Sequence, residues 1–368
     1  MTSPKDIRSL MLPRLLDMVA YDAIDPPEVL ARQAGIPEDQ VIKLDGNENL
    51  YGASPKVAEA LARYGDYHIY SDPQQRRVRE ALASYAGTTM DRVVAGTGSD
   101  ELIDLLLRLF VGPGERVIQC VPGFGMYGSF TYLVGGEVVS VPLSESFDID
   151  VGSIREAAQD GGKILFLTSP NNPTGNLISE TTIRQLLELN LLVVVDEAYF
   201  EFSGSTVAHL VPEYSNLVVL RTFSKWAGLA GMRMGYGIMD TAVADRLLVI
   251  KAPYNLTVAT EVALLASLED KELLLSRVRT IVEERDRLFA QLEKMNGLTP
   301  LPSHANFILC RMQGGGASRV YQELAARGIF IRYYNNPLLR DYIRLSVGLP
   351  HHNRAVVEAL QAILSEGV

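Results

Sequence analysis

Residues 191–225 read LLVVVDEAYFEFSGSTVAHLVPEYSNLVVLRTFSK. Two short apolar runs, LLVVV and LVVL, end abruptly in polar, ionisable residues. Asp196-Glu197-Ala198-Tyr199 follows the first, and Arg221-Thr222-Phe223-Ser224-Lys225 follows the second. Runs this short and this continuously apolar have the pattern of strands buried on both faces. Just upstream, KILFLT (residues 163–168) leads into Ser169-Pro170-Asn171-Asn172-Pro173-Thr174-Gly175. Helical periodicity separates several runs, as over residues 181–189, so a mostly parallel sheet covered by helices is predicted. In such open α/β sheets, ligands bind outside the carboxyl ends of the strands. Polar clusters at three such ends should converge on one site.

Working outward, residues 92–95 and 116–121 read as two more strands. The first runs into Gly96-Thr97-Gly98-Ser99-Asp100 and a helix over residues 101–110, stopped by Gly112-Pro113-Gly114. A glycine turn that ends a strand and opens a helix aims backbone N–H groups at an anion. It is a near-miss for the dinucleotide fingerprint, because Glu101 stands where the third glycine belongs. VVVDE resembles the acidic strand end of nucleotide hydrolases, but the G-x-x-x-x-G-K-[ST] loop which that reading needs does not occur. Arg233, in GLAGMRMGYG, is a cation among small residues that permit close backbone packing.

From about residue 260 the character changes. Long helices (262–268, 272–295) precede strands at 305–310, 329–333 and 342–347, a helix at 318–327, and a last helix from Asn353. The first 44 residues read as helices with Pro-rich connections and are expected to pack with this end of the chain. The predicted architecture is α/β: a large domain over residues 46–258, with a mostly parallel sheet between helices, and a smaller α+β domain formed by residues 1–45 and 259–368.

Composition narrows the function. The 368 residues include 34 basic and 44 acidic side chains, a net charge of −10, which argues against nucleic acid as a partner. Hydrophobic residues make up 47% and charged residues 21%, enough for a large core in a soluble enzyme. Cys120 and Cys310 sit in apolar surroundings and are expected to be buried, reduced thiols. No C-x-x-C pair or Cys/His cluster suggests a metal. MTSPKDIRSLMLPRLLDM lacks the apolar core of a signal peptide, and no run reaches membrane-spanning length. A cytoplasmic protein without membrane association is expected.

Taken together, NPTG, DEAY, Ser224-Lys225 and an arginine eight residues further on resemble the fold-type-I, pyridoxal-phosphate-dependent aminotransferases (class II), over nearly the whole chain. Within that superfamily the stretches LDGNENLYGASP, IYSDPQ, AGTGSDELI, PGFGMY, APYNLTVAT, PSHANFIL and GIFIRYYNNPLLRDYIRLSVGLP are most similar to the histidinol-phosphate aminotransferase family. The cofactor's chemistry suits the set. It needs a lysine that can be neutral enough to form an imine and a carboxylate that keeps its pyridine nitrogen protonated. It also needs donors to its ring oxygen and a cation-lined anion cradle for its phosphate.

The resemblance implies a role for each residue. Lys225 would carry pyridoxal 5'-phosphate as a Schiff base and shuttle the proton. Asp196 would pair with the pyridine nitrogen, and Asn172 and Tyr199 would hydrogen-bond the ring oxygen. Ser99, the Asp100 amide, Thr222, Ser224 and Arg233 would hold the phosphate. Phe124 would stack on the ring. Tyr70 would reach the phosphate of a neighbouring subunit's cofactor, which implies a homodimer with active sites at the interface. Arg344 would take the substrate carboxylate and Arg332 its second anion, with Tyr51 and Asn172 in the same pocket. The partners would be small amino and oxo acids. The implied reaction moves an amino group between histidinol phosphate and 2-oxoglutarate, in histidine biosynthesis. Three positions depart from the family pattern: Phe124 replaces the usual tyrosine, Leu50 a common proline, and Tyr70 follows Ile69. An aromatic amino acid aminotransferase and a decarboxylase of a phosphorylated amino acid are the competing readings.

Overall fold

The short apolar runs become strands because both of their faces are covered, and the side chains show it residue by residue. Val193 and Val195 point into one core, and Leu192 and Val194 into the other. Leu217 and Val219 alternate in the same way with Val218 and Leu220. A pleated strand sends successive side chains to opposite faces. Burying each such Val or Leu contributes about 1.5–3 kcal/mol.

The computed structural model describes residues 6–365. A short first strand, β1 (Ile42–Leu44), belongs to the smaller sheet. Seven strands then form the larger sheet: β2 (Val93–Thr97), β3 (Arg116–Val121), β4 (Glu137–Pro142), β5 (Gly162–Thr168), β6 (Leu192–Asp196), β7 (Leu217–Thr222) and β8 (Met234–Ile238). Their spatial order is β2-β8-β7-β6-β5-β3-β4. The pairs β3–β4, β3–β5, β5–β6 and β6–β7 are parallel, while β8 runs antiparallel to both β7 and β2. The smaller sheet adds β9 (Leu298–Pro300), β10 (Phe307–Met312), β11 (Ile329–Tyr333) and β12 (Tyr342–Ser346), in the order β1-β11-β12-β10-β9.

Register sets up the site. Thr168 pairs with Asp196, and Asp196 with Leu220, so the polar ends of β5, β6 and β7 lie along one edge. Because β8 is antiparallel, its first residues reach that same edge, with Gly235 opposite Thr222 and Met234 opposite Thr97. This brings Arg233 beside the start of the helix Gly98–Phe110. The sequence reading contained neither β8 nor β4; MGYGI, with two glycines in five residues, reads as loop until two neighbours bond it on both edges.

The N-terminal segment joins the C-terminal sheet through parallel pairing of Ile42 with Ile329 and Leu44 with Ile331. The larger core takes in Ala263, Leu264, Leu274, Val278 and Ile281, and the smaller begins at Leu288. The 22-residue helix Lys271–Leu292 thus contributes side chains to both cores. Cys310 is buried and Cys120 half-buried, and neither is bonded to another cysteine. No described helix is long and apolar enough to cross a membrane. Among the described residues no group of three or more His, Cys, Asp or Glu is placed to hold a metal.

Candidate active site

A cavity of about 680 Å³ opens between the carboxyl edge of the larger sheet and the smaller sheet. Its wall gathers Ser99, Asp100, Phe124, Asn172, Asp196, Tyr199, Thr222, Ser224, Lys225, Arg233, Arg332 and Arg344. Chain order scatters these residues over almost 250 positions; the common strand edge collects them.

Lys225 follows β7 and its amine donates to the Gly46 carbonyl (2.8 Å). Burial lowers its pKa to about 8, and the Arg344 guanidinium adds to the effect. An amine so placed is neutral far more often than a surface lysine, which is what a nucleophilic amine requires. Asp196 ends β6 and is 4% exposed. One carboxylate oxygen accepts from the Tyr127 hydroxyl (2.9 Å) and the other from the Ala198 N–H (3.0 Å). Burial nevertheless pushes its pKa up to about 6. Among the described residues no basic side chain pairs with it, so this carboxylate faces the cavity ready for a cationic N–H.

Elsewhere on the cavity wall, Arg233, the helix start at Ser99–Asp100 and the Thr222 and Ser224 hydroxyls form a cradle with the chemistry to hold an anion. The Arg233 guanidinium donates to the Asp100 carboxylate (2.8 Å) at the first turn of the helix Gly98–Phe110. Ser224 N–H donates to Thr222 Oγ1 (3.1 Å), which fixes both hydroxyls beside it. Two glycines make the room. A Cβ on Gly98 (φ 76°) would lie 2.6 Å from Arg233 Nη2, and one on Gly235 would lie 2.2 Å from the Ser99 nitrogen. The cradle therefore depends on backbone that carries no side chains. A buried carboxylate, a desolvated amine and a hydroxyl-and-arginine cradle fit a flat aromatic ring that bears a phosphate.

Another part of the wall is built on the smaller sheet. Arg332 on β11 and Arg344 on β12 stand directly opposite each other in the ladder. Like charges in that relation repel unless an anion joins them. Arg344 is 6% exposed and donates to Asn172 Oδ1 (2.7 Å) and to the Asp45 carbonyl. Among the described residues its Nε has no protein partner. Arg332 donates to the Asp22 carboxylate (2.8 Å) and carbonyl (2.7 Å). Tyr199 accepts from Asn47 Nδ2 (3.0 Å). Asn47 itself adopts φ 51°, a conformation asparagine tolerates, and is tied to Ser346 and Asn306 across the sheets.

Two expected residues lie elsewhere. Tyr51 does not line this cavity; it packs against the larger core. Tyr70 is 78% exposed and stacks on Tyr254 with centroids 4.4 Å apart. Sequence reasoning missed Tyr127, which carries Asp196, and the strap Tyr21–Ile24 that borders the cavity. Tyr127 lies in PGFGMY, one turn after Phe124, so helical spacing could have marked it. The strap has no periodic signal at all.

Fold and site define a class. A family model described as aminotransferase class I and II matches residues 39–363, and the chain belongs to that family. Within it, the chain is 47% identical to the histidinol-phosphate aminotransferase of Roseiflexus castenholzii, over 98% of this chain and 100% of that protein. It is 44% identical to the Dehalococcoides mccartyi enzyme of the same name, over 96% and 98%. The crystal structure of histidinol-phosphate aminotransferase from Sinorhizobium meliloti in complex with pyridoxal-5'-phosphate superposes with a TM-score of 0.89 at 27% identity, covering 98% of this chain and 99% of that one.

Proposed function

We propose that this enzyme binds pyridoxal 5'-phosphate at Lys225 and transfers an amino group reversibly between histidinol phosphate and 2-oxoglutarate, a step of histidine biosynthesis. The observation that carries the substrate reading is the pair Arg332 and Arg344, opposed on neighbouring strands in the wall of the cavity. Both substrates are anionic at one end, one with a phosphate and the other with carboxylates, and two guanidinium forks suit either. Support also comes from the relatives of that name at 44–47% identity.

The residues divide the work. Arg233, Ser99, Thr222 and Ser224 would hold the cofactor phosphate, with the amide at Asp100. Asp196 would hold a proton on the ring nitrogen, and Tyr127 keeps that carboxylate oriented. Asn172 and Tyr199 would donate to the ring oxygen, and Phe124 would cover the ring face. When bound, the cofactor supplies an electrophilic carbon and an electron-withdrawing ring. The Lys225 amine, whose pKa burial lowers to about 8, would move the proton at the substrate Cα. Arg344 and Arg332 would orient the substrate so that this proton faces Lys225.

A homodimer is part of the proposal. Tyr67, Ile69, Tyr70, Val249, Ile250 and Tyr254 are all exposed. Lys251 donates to the Pro73 carbonyl (2.9 Å), so the two segments adjoin and form one apolar face. Faces of that kind mark protein interfaces, and Tyr70 would act from it on the neighbouring subunit. Light scattering of the purified protein tests the dimer.

One assay panel tests the function. Histidinol phosphate, phenylalanine, tyrosine and threonine phosphate are each offered with 2-oxoglutarate. The expected result is a clear preference for histidinol phosphate. A preference for phenylalanine or tyrosine, or release of CO2 from threonine phosphate, would assign the site to one of the competing activities.

A further inference from the structure

The segment before the helix Pro27–Ala34 has no regular secondary structure over residues 18–26, yet it touches both walls of the cavity. The Tyr21 ring meets Phe124 edge-on on the side of the larger sheet, with centroids 6.4 Å apart. One residue further on, Asp22 meets Arg332 on the side of the smaller sheet. Arg332 Nη2 donates to the Asp22 carboxylate at 2.8 Å and to its backbone carbonyl at 2.7 Å. The Asp22 side chain is 81% exposed and that of Arg332 only 15%. Water therefore solvates the carboxylate, while the guanidinium, shielded from water, also lies 5.5 Å from the centre of the Tyr334 ring.

The two arginines differ in this respect. Arg344 is held by the Asn172 side-chain oxygen and the Asp45 carbonyl, neutral acceptors that leave its charge uncompensated. Arg332 is held by a carboxylate, the same kind of group its anionic substrate would present. We propose that Asp22 is an internal competitor for the substrate's anion. Its carboxylate occupies Arg332 while the pocket is empty, and the incoming phosphate or carboxylate displaces it and frees residues 18–26 from the smaller sheet. The proposal rests on Arg332 being an anion receptor.

The size of the effect follows from the geometry. When only a fraction of molecules has Arg332 free, apparent affinity falls by that fraction. An ion pair with one partner so exposed changes such an equilibrium by about two- to fivefold. Asp22→Asn keeps the backbone carbonyl contact and the side-chain shape but removes the charge.

The test uses the holoenzyme and two readings: KM for histidinol phosphate, and the inhibition constant of inorganic phosphate against it. Asp22→Asn should lower both by about two- to fivefold with kcat little changed, because only the competitor is weakened. Unchanged values, or a rise in KM, overturn the proposal; a rise would mean that Asp22 holds substrate. Arg332→Ala separates the underlying reading from the inference. If it raises both constants while Asp22→Asn moves neither, Arg332 receives the anion and the competitor role alone is wrong. If Arg332→Ala leaves both unchanged, the receptor reading falls and the competitor role falls with it.

Discussion

Tyr127→Phe removes one oxygen from the most buried part of the site, and its consequence can be worked through. The hydroxyl donates to Asp196 (2.9 Å) and is 2.8 Å from the Thr168 hydroxyl. The ring stacks on Phe166 at 4.6 Å, a contact that phenylalanine keeps. A hydrogen bond to a charged group is worth about 1.5–3 kcal/mol. At about 1.4 kcal/mol per pKa unit, its loss raises the Asp196 pKa by roughly one to two units. The carboxylate starts at about 6 in the wild type and would then titrate above neutrality. Its folded pKa lies above the ordinary range of an aspartate carboxyl, so the folded state holds the proton more tightly than the unfolded chain. That contribution is fully present at low pH and is lost as pH rises through the folded value.

In the cofactor-free wild type this loss is complete a little above pH 6. In Tyr127→Phe it continues to roughly pH 7–8 and adds about 1.5–3 kcal/mol of destabilisation at pH 8 compared with pH 5.5. Urea unfolding of the cofactor-free proteins at both pH values measures it. Cofactor affinity at pH 7 should fall about tenfold or more in parallel, because the protonated carboxyl no longer favours a cationic ring nitrogen. A stability loss equal at pH 5.5 and pH 8 would refute the reasoning. It would mean that the hydroxyl serves Thr168 and the packing rather than the charge on Asp196.

Other outcomes follow from the same geometry. Borohydride treatment of the holoenzyme should fix the cofactor on the Lys225 peptide, and Lys225→Ala should abolish the label and lower kcat by at least about 10²–10⁴-fold. Arg344→Gln should raise KM for the amino donor about 10–100-fold, the loss of charge-assisted contacts. It should also move the Lys225 pKa upward from about 8, since Arg344 is the leading charge that lowers it. The pH dependence of cofactor capture reads that shift, and a profile moving to lower pH would contradict it. Gly235→Ala places a Cβ 2.2 Å from the Ser99 nitrogen, backbone that cannot swing aside. It should cost about 1–3 kcal/mol or more in stability and weaken cofactor binding, measured by urea unfolding and by titration.

Local sequence was enough wherever the deciding pattern is itself local. The runs at residues 164–167, 191–195 and 217–220 are apolar at every position, as strands covered on both faces are, and they form most of β5, β6 and β7. Asp196 stands immediately after such a run, and Lys225 lies in the polar segment that follows the next one, so the position of both at strand ends was legible. Four features depended on long-range pairing. Strand β8 exists because β7 and β2 bond its two edges, and its reversed direction is what brings Arg233 to the cradle. Tyr127 reaches Asp196 across 69 positions. Arg332 and Arg344 become a pair only through the register of β11 and β12. Asp22 meets Arg332 across 310 positions, from a segment with no regular structure. The sequence by itself determined which residues can do this chemistry, because side-chain type and the burial pattern of single strands are properties of short stretches. Which residues stand opposite one another, and therefore which charges are shared, was decided by sheet order and register, which arise only when distant segments bury their faces together.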